Sequence, residues 1–283
     1  MQFNLIGPFE ITTDDGRELA PGAPRIRQML ALLALQPRET VSIDSLVQEL
    51  WADDAPPSAL KIVHTHVSQA RRLFTEEAVT SPGRDLLLTR APGYLLQVND
   101  DEVDVMSFES FIKRAQWEFA EGTPGRAADF LGRALALWRG PVLSDVAVGS
   151  TLAGWIARVE ELRIRALELH VEVENHFGRY RELLPELRTL VNDYPLHEWF
   201  HGQLISALHR AGRRGEALEA YGNLYRLLKS ELGLAPSPDL RRLQTEILNA
   251  AGPDLTLSPR RRPARDRSDF PPLPPFPAVA IAG

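Results

Sequence analysis

Short apolar runs and turn residues alternate at the start of the chain. Residues 3–19 combine such runs with a Gly-Pro pair and an Asp-Asp-Gly turn, which is typical of short antiparallel strands joined by hairpins. We predict three strands here. In residues 86–98, apolar strand positions are interrupted by Arg-Ala-Pro-Gly. This pattern predicts a terminal hairpin with Arg90 near its tip.

Three segments between these strands have apolar residues at helical spacing. The first follows Pro24, a residue favoured at the start of a helix. The second covers residues 44–51, where Asp44 can act as the N-cap. The third covers residues 59–77, and residues 40–42 are interpreted as a connector. Three strands, three helices and a terminal hairpin together predict a winged helix-turn-helix domain.

The pattern becomes almost continuously helical from Asp104 to about Ala251. Segments starting at Gly178 and Gly212 lie 34 residues apart, and a weaker copy starts at Gly122. Their matching apolar positions are Leu184, Leu187 and Leu190, then Leu218, Tyr221 and Leu224, and in the weaker copy Ala128, Leu131 and Ala134. A 34-residue period predicts an all-α, tetratricopeptide-like repeat domain. The fold class is therefore multi-domain and mainly α, with an α+β winged helix first.

The end of the chain has a different composition. Residues 253–283 contain eight prolines and a run of three arginines, a composition that cannot form a packed core. We predict a Pro/Arg-rich disordered tail. The predicted domains are thus residues 1–100, 101–252 and 253–283.

Composition limits the possible functions. The absence of cysteine excludes disulfides, thiolate zinc sites and cysteine nucleophiles, and favours a reducing cytoplasm. The sequence has no signal-peptide pattern at its start and no run of about 18 to 20 apolar residues. We therefore expect a cytoplasmic protein with no membrane partner.

The net charge is −6, and residues 1–100 carry nine Lys or Arg against thirteen acids. A broad basic surface is therefore excluded, and any DNA binding must use local positive charge. The third predicted helix offers such a place. Its apolar residues Val63, Val67, Ala70 and Phe74 share one face at a 3.6-residue period, which leaves the polar residues Lys61, His64, Thr65, Ser68, Gln69, Arg71 and Arg72 on the other side.

One stretch suggests a different chemistry. His197, Glu198 and His201 match the zincin pattern of two histidines one helical turn apart with a glutamate between them. The third ligand position of the metzincin pattern is Ala207, and the motif lies inside a repeat helix. We therefore favour a surface-helix interpretation over a metal site. No Ser-His-Asp order and no Walker motif is present, and we expect no enzyme activity, cofactor or metal.

Several ordered motifs resemble one known family. FNLIGPFEI, ELWADDAPPSA, TRAPGYLLQV, ALALWRGPVL and LKSELGLAPSPDLRRL resemble the SARP family, the actinobacterial antibiotic regulatory proteins, over about residues 1–252. The resemblance implies an OmpR-type winged helix followed by a bacterial transcriptional activation domain. It also implies an activator that binds direct repeats of double-stranded DNA near biosynthetic promoters and recruits RNA polymerase holoenzyme, including its sigma factor.

The resemblance and the charge pattern assign roles to individual residues. In the OmpR-type arrangement His64, Thr65, Ser68 and Gln69 approach base edges in the major groove, with Gln69 suited to adenine. Arg90 in the wing resembles an arginine inserted into the minor groove. Lys61, Arg71 and Arg72, and more weakly Arg25 and Arg27, are expected at phosphates.

Direct repeats have a further consequence, because they require protomers that associate head to tail on DNA rather than as a symmetric dimer. An alternative function stays open at this point. Tetratricopeptide-like stacks also bind peptides, so the helical domain could be a scaffold or sensor to which DNA binding is subordinate. The arginines that would line its binding surface are Arg179, Arg181, Arg213 and Arg214.

Overall fold

A computed structural model describes residues 1–19, 21–76 and 85–249. The predicted tail, residues 253–283, lies outside the described residues. The contacts divide the described chain into two compact units, residues 1–167 and 168–249. In the described part, no helix is both long enough and apolar enough to cross a bilayer.

The chain begins with the three predicted strands. β1 (Gln2–Asn4), β2 (Glu10–Thr12) and β3 (Glu18–Leu19) form an antiparallel sheet in that order. Phe3 pairs with Ile11, which pairs with Leu19, and all three side chains are buried. Alternate residues of a strand face the same side of the sheet, so this apolar row is the face that the sheet contributes to the core.

Three helices follow, as predicted: α1 (Pro24–Ala34), α2 (Ile43–Trp51) and α3 (Ala59–Glu76). Pro24 begins α1, where its missing N–H is no loss. The N-cap of α2 is Ser42, whose hydroxyl oxygen accepts from the Ser45 backbone N–H at 3.0 Å. The predicted cap, Asp44, lies instead in the first turn, where its charge still favours the helix dipole.

The wing is a second antiparallel sheet, β4 (Thr40–Ser42), β5 (Leu87–Arg90) and β6 (Gly93–Leu96), in the order β4-β6-β5. The interpretation of residues 40–42 as a connector was incomplete, because they form β4 and pair with β6. Val41 pairs with Tyr94, and both are buried. Three residues are too few to show a hydrophobic period, so the strand conformation of this segment depends on its pairing with β6.

The rest of the described chain is helical. After a 3-10 turn at Asp100–Glu102, the chain continues with the remaining helices of the first unit and then with the helices of the second unit. They are α4 (Asp104–Ala120), α5 (Pro124–Leu135), α6 (Ser150–His176), α7 (Leu184–Asp193), α8 (Glu198–Arg210), α9 (Arg214–Glu231) and α10 (Pro238–Asn249). The mainly α fold with an N-terminal winged helix is confirmed.

The repeat glycines occupy equivalent turns. Gly122, Gly178 and Gly212 have φ of 76°, 73° and 79°, a left-handed conformation that favours glycine. After each glycine, the next N–H bonds the carbonyl five residues before it, as in Thr123 to Glu118 at 2.9 Å. This is the Schellman ending of a helix. The sequence repeat therefore corresponds to a repeated helix stop.

Asp104 joins the first strand to the first helix after the wing. Its buried carboxylate accepts from the backbone N–H groups of Leu5 and Ile6, each at 2.8 Å. Burial raises the pKa of Asp104 to about 6, and the backbone hydrogen bonds and Arg139 oppose this shift. The start of α4 is thereby attached to the end of β1.

Glu49 makes a second junction within the first unit. This residue of α2 is 2% exposed, and its carboxylate accepts from the N–H groups of Gly149 at 2.6 Å, Thr151 at 2.9 Å and Leu152 at 3.2 Å. Thr151 and Leu152 lie in the first turn of α6 and Gly149 directly precedes it, so these N–H groups have no acceptor within the helix. Glu49 therefore caps α6 from the helix-turn-helix. A Cβ on Gly149 would lie 2.4 Å from the Glu49 carbonyl oxygen.

Candidate nucleic-acid interface

The two faces of α3 are separated as the sequence predicted. Val63, Val67, Ala70 and Phe74 are buried, and Phe74 packs edge-on against Phe3 with ring centroids 6.4 Å apart. The opposite face is exposed along the helix. It carries the predicted interface residues Lys61, His64, Thr65, Ser68, Gln69, Arg71 and Arg72. The structure therefore brings these seven residues together on one exposed helical surface.

The hydroxyl groups on this surface already donate within the helix. Thr65 donates to the Lys61 carbonyl and Ser68 donates to the His64 carbonyl, both at 2.9 Å. Each hydroxyl oxygen keeps lone pairs for an incoming donor. Thr65 and Ser68 therefore present acceptors outward, which complements the amino groups of cytosine and adenine in a major groove.

His64 and Arg71 connect α3 to the wing. The His64 ring lies edge-on to Tyr94, with centroids 6.4 Å apart. The Arg71 guanidinium donates to the Leu87 carbonyl at 2.9 Å and to the Thr89 hydroxyl at 2.8 Å. Both acceptors belong to β5. The sequence predicts a phosphate contact for Arg71 and gives no sign of these hydrogen bonds, which hold the wing against α3.

The wing presents Arg90 at its exposed end. Arg90 ends β5 and pairs with Gly93, across a turn of Ala91 and Pro92. A Cβ at Gly93 would lie 1.8 Å from the Val41 carbonyl oxygen, so glycine is required where β4 passes. The hairpin that carries Arg90 is therefore held closely against β4.

The other two predicted phosphate ligands lie on α1. The exposed Arg25 donates to the Leu50 carbonyl, and its guanidinium lies 4.7 Å from the Trp51 ring centroid. Arg27 is half-buried, forms an ion pair with Asp145 and donates to the Phe9 carbonyl at 2.9 Å. The structure thus uses Arg27 to connect α1 to the segment that precedes α6.

A small hollow lies beside α3. It has a volume of about 250 Å³, and its lining includes Gln69 and Arg72 of α3 and Ile26 of α1. Nearby, His66 is half-buried, and burial lowers its pKa while the Gln69 side chain opposes this. Lowering of the pKa favours the neutral imidazole. His66 therefore adds no positive charge to this surface at neutral pH.

The zincin-like residues serve separate structural roles in the second unit. His197 is the N-cap residue of α8, and its ring stacks on Phe200 with centroids 4.4 Å apart. Glu198 accepts from the Ser237 N–H at 2.7 Å, and His201 contacts the Pro195 carbonyl at 2.9 Å. Among the described residues, no group of three or more His, Cys, Asp or Glu could hold a metal ion.

Two family models match this chain. The model described as "Transcriptional regulatory protein, C terminal" covers residues 17–96, and the model described as "Bacterial transcriptional activator domain" covers residues 103–248. The first match spans α1, α2, α3 and the wing. The second spans the helices from α4 to α10.

Characterised relatives agree with these matches. The regulatory protein DnrI of Streptomyces peucetius is 39% identical over 253 residues, which cover 88% of this chain and 93% of DnrI. The transcriptional regulator RedD of Streptomyces coelicolor is 34% identical, covering 88% of this chain and 70% of RedD. A structure of Mycobacterium tuberculosis EmbR with a low-affinity phosphopeptide has a TM-score of 0.81 and 31% identity, covering 87% of this chain and 64% of that one.

Proposed function

Because the chain belongs to the SARP family of transcriptional activators, we propose that it activates an antibiotic biosynthetic gene cluster by binding direct repeats near the promoter and recruiting RNA polymerase holoenzyme. The exposed face of α3 enters the major groove, and Arg90 enters the adjacent minor groove. Protomers associate head to tail on the repeats, and the activator works at the nucleoid.

The observation that carries this proposal is the composition of the exposed α3 face. From Leu60 to Thr75 the charged residues are Lys61, Arg71 and Arg72, without an acid, in a chain whose net charge is −6. The charged residues of this face are thus all positive, although the chain as a whole has a negative net charge. A few cations placed in this way supply affinity at phosphates, while neutral polar groups between them distinguish bases.

The exposed positions of the side chains on α3 support a proposal for individual contacts. His64, Thr65, Ser68 and Gln69 contact base edges, and Gln69 can form two hydrogen bonds with adenine. Lys61 and Arg72 contact phosphates. Arg71 acts mainly by holding β5, since its guanidinium already has two acceptors there. Arg25 and Arg27 flank the surface from α1, where Arg27 reaches a phosphate only by leaving Asp145.

Footprinting on duplexes selected from a random pool by the wild-type chain tests this interface. We expect Gln69→Ala to relax preference at one or two base pairs by about 1 to 3 kcal/mol, and Arg72→Ala to weaken binding to all sequences and lower the salt slope by about one. Gln116→Ala and Arg165→Ala, at exposed positions of α4 and α6, are matched controls. Unchanged binding by both interface variants would overturn the assignment.

A groove in the second unit favours a second candidate function. It has a volume of about 500 Å³ and lies among α7, α8 and α9, with Leu204 and Leu208 among its apolar lining residues. Such a groove in a helical repeat suits a peptide, so this unit could be a scaffold or sensor. We expect Asn223→Arg, at the exposed groove wall, to abolish activation while DNA affinity is unchanged. Activation that survives this variant would argue against peptide binding there.

A further inference from the structure

We propose that the outer face of α4 and α5 is the docking surface for a second copy of this chain, and that the acidic turn between α2 and α3 of that copy is the segment seated on it. The inference rests on the proposed function, because it identifies the contact through which head-to-tail neighbours associate on direct repeats.

The docking surface combines one exposed and two half-buried aromatic rings with exposed cations, and we call it the Arg-aromatic patch. Its members are Phe111, Lys113, Arg114 and Trp117 of α4 and Phe130 and Arg133 of α5. Trp117 is 52% exposed. The patch surrounds an open hollow of about 530 Å³. Aromatic residues, above all tryptophan, and arginine are enriched among the residues that carry most of the binding energy at protein interfaces.

The patch is organised before any partner arrives. The Arg133 guanidinium lies 4.2 Å from the Phe111 ring centroid, and the Arg114 guanidinium lies 5.1 Å from that of Trp117. Phe111 and Phe130 have centroids 6.4 Å apart. Stacking on a ring leaves the edge of a guanidinium free to donate to a carboxylate. Ordering the patch therefore costs little entropy when a partner binds.

The charge of the patch is only partly neutralised. Arg114 lies 3.4 Å from the buried Glu118 carboxylate, and Lys113 lies 3.0 Å from Glu109. Among the described residues, no carboxylate is within ion-pair distance of Arg133, which is exposed. The patch thus has an excess of positive charge on a chain whose net charge is negative. An acidic segment is its complement.

The same charge excludes pairing of the patch with itself. A symmetric dimer would bring two basic patches face to face, and like charges across an interface are unfavourable. The patch therefore needs a different surface on its partner. A contact between two different surfaces of one chain is head to tail, which is the arrangement that direct repeats require.

The turn between α2 and α3 has the required chemistry. Residues 52–57 are exposed except for half-buried Pro56, and include Asp53, Asp54 and two prolines. No ion pair involves either aspartate among the described residues. Backbone hydrogen bonds from Ala52 to Gln48 at 2.9 Å and from Asp54 to Trp51 at 3.0 Å fix the turn. It offers two exposed carboxylates and two proline rings in one short segment.

The two surfaces belong to different parts of the first unit. The patch is built on α4, which packs on β1 and α5, whereas the acidic turn follows α2, which packs on α1, α3 and β4. One chain can therefore present its patch to one neighbour and its turn to another. This property allows the contact to continue along tandem repeats.

Cooperative binding to DNA tests the proposal. Duplexes selected from a random pool by the wild-type chain are prepared with one repeat and with two tandem repeats. We expect Trp117→Ala and Arg133→Glu each to keep an affinity for the single repeat within about twofold of the wild-type value. On two repeats, we expect the cooperativity factor of each variant to fall about tenfold. Arg165→Glu, an exposed charge reversal on α6, is the matched control and should retain cooperativity.

Charge exchange then identifies the occupant. We expect Asp53→Arg with Asp54→Arg to lose cooperativity, and the triple variant that adds Arg133→Glu to regain part of the loss, because Arg133→Glu again gives the reversed turn a partner of opposite charge. Failure of the triple variant to recover, or unchanged cooperativity in the single variants, would overturn the proposal. Weaker single-repeat binding by Trp117→Ala would assign the patch to DNA instead. If the wild type selects no repeat at all, the proposed function itself fails.

Discussion

The exposed face of α3 and the junction between the winged helix and α4 to α6 use polar side chains in opposite ways. On α3, Gln69 and Lys61 are exposed. At the junction, Glu49 and Asp104 are buried and accept three or more backbone hydrogen bonds each. Exposed polar groups exchange water for a ligand at little cost, whereas buried carboxylates are costly unless every partner stays in place.

This difference predicts how the two regions respond to substitution. Changes on the α3 face should alter DNA binding and leave folding intact. Changes at the junction should alter folding and affect DNA binding only as a consequence. Arg71 combines features of both regions, because its side chain is exposed on α3 but donates hydrogen bonds to β5. Its substitution should therefore affect both DNA binding and folding.

The largest effect is expected at Glu49. Glu49→Ala removes the acceptor of three N–H groups at the start of α6, and we expect the free energy of unfolding to fall by about 2 to 4 kcal/mol. Urea unfolding measures it. Glu161→Ala, at an exposed ion pair with Arg165, is the matched control and should cost less than about 0.5 kcal/mol. Equal losses in both variants would contradict the capping role.

Asp104 should make stability depend on pH. Its pKa is raised from 3.8 to about 6 in the folded chain, so folding favours the protonated carboxyl. This stabilisation is complete below about pH 4 and is lost as the pH rises through about 6. Between pH 4 and pH 7, we expect the wild type to lose about 1 to 3 kcal/mol relative to Asp104→Asn. Unfolding curves across this range check it, and a constant difference would argue against the assignment.

A smaller effect is expected at Arg71. Arg71→Ala removes two hydrogen bonds to β5, and we expect a loss of about 1 kcal/mol and faster amide exchange in β5 and β6. Arg71→Lys separates the two roles, because lysine keeps the charge but cannot reproduce the pair of hydrogen bonds. If Arg71→Lys keeps the wild-type DNA affinity and the wild-type rates of amide exchange in β5 and β6, the residue acts only through its charge.

The smallest effect on folding is expected at Gln69. Its side chain is exposed, so Gln69→Ala should change the free energy of unfolding by less than about 0.5 kcal/mol, even though it alters sequence preference on DNA. Thermal and urea unfolding give the first quantity and footprinting gives the second. A loss of more than 1 kcal/mol would show that Gln69 supports the fold, and the contrast with Glu49 would be lost.

The parts of the fold that sequence predicted are those set by local pattern. The helical spacing of Val63, Val67, Ala70 and Phe74 identified the buried face of α3 and, with it, the exposed one. The 34-residue period identified equivalent turns at Gly178 and Gly212. Such patterns are visible because neighbouring residues in one element share one environment.

The parts that sequence did not predict depend on residues distant along the chain. Glu49 meets Gly149 across 100 residues, and the sequence around Glu49 looks like any amphipathic helix. The strand at residues 40–42 is defined by β6. Arg71 was identified as a cation near DNA, but its acceptors on β5 lie 16 and 18 residues away. A single sequence contains no signal for such pairings.

The capping of α6 by Glu49 has a practical consequence for building hybrid regulators. Grafting residues 1–100 onto another activator would separate Glu49 from the α6 backbone, Asp104 from Leu5 and Ile6, and Arg27 from Asp145. Transferring residues 1–167 keeps all these pairs on the same side of the splice. Exchange of target specificity between relatives should therefore succeed with the larger block, or with the exposed α3 residues alone.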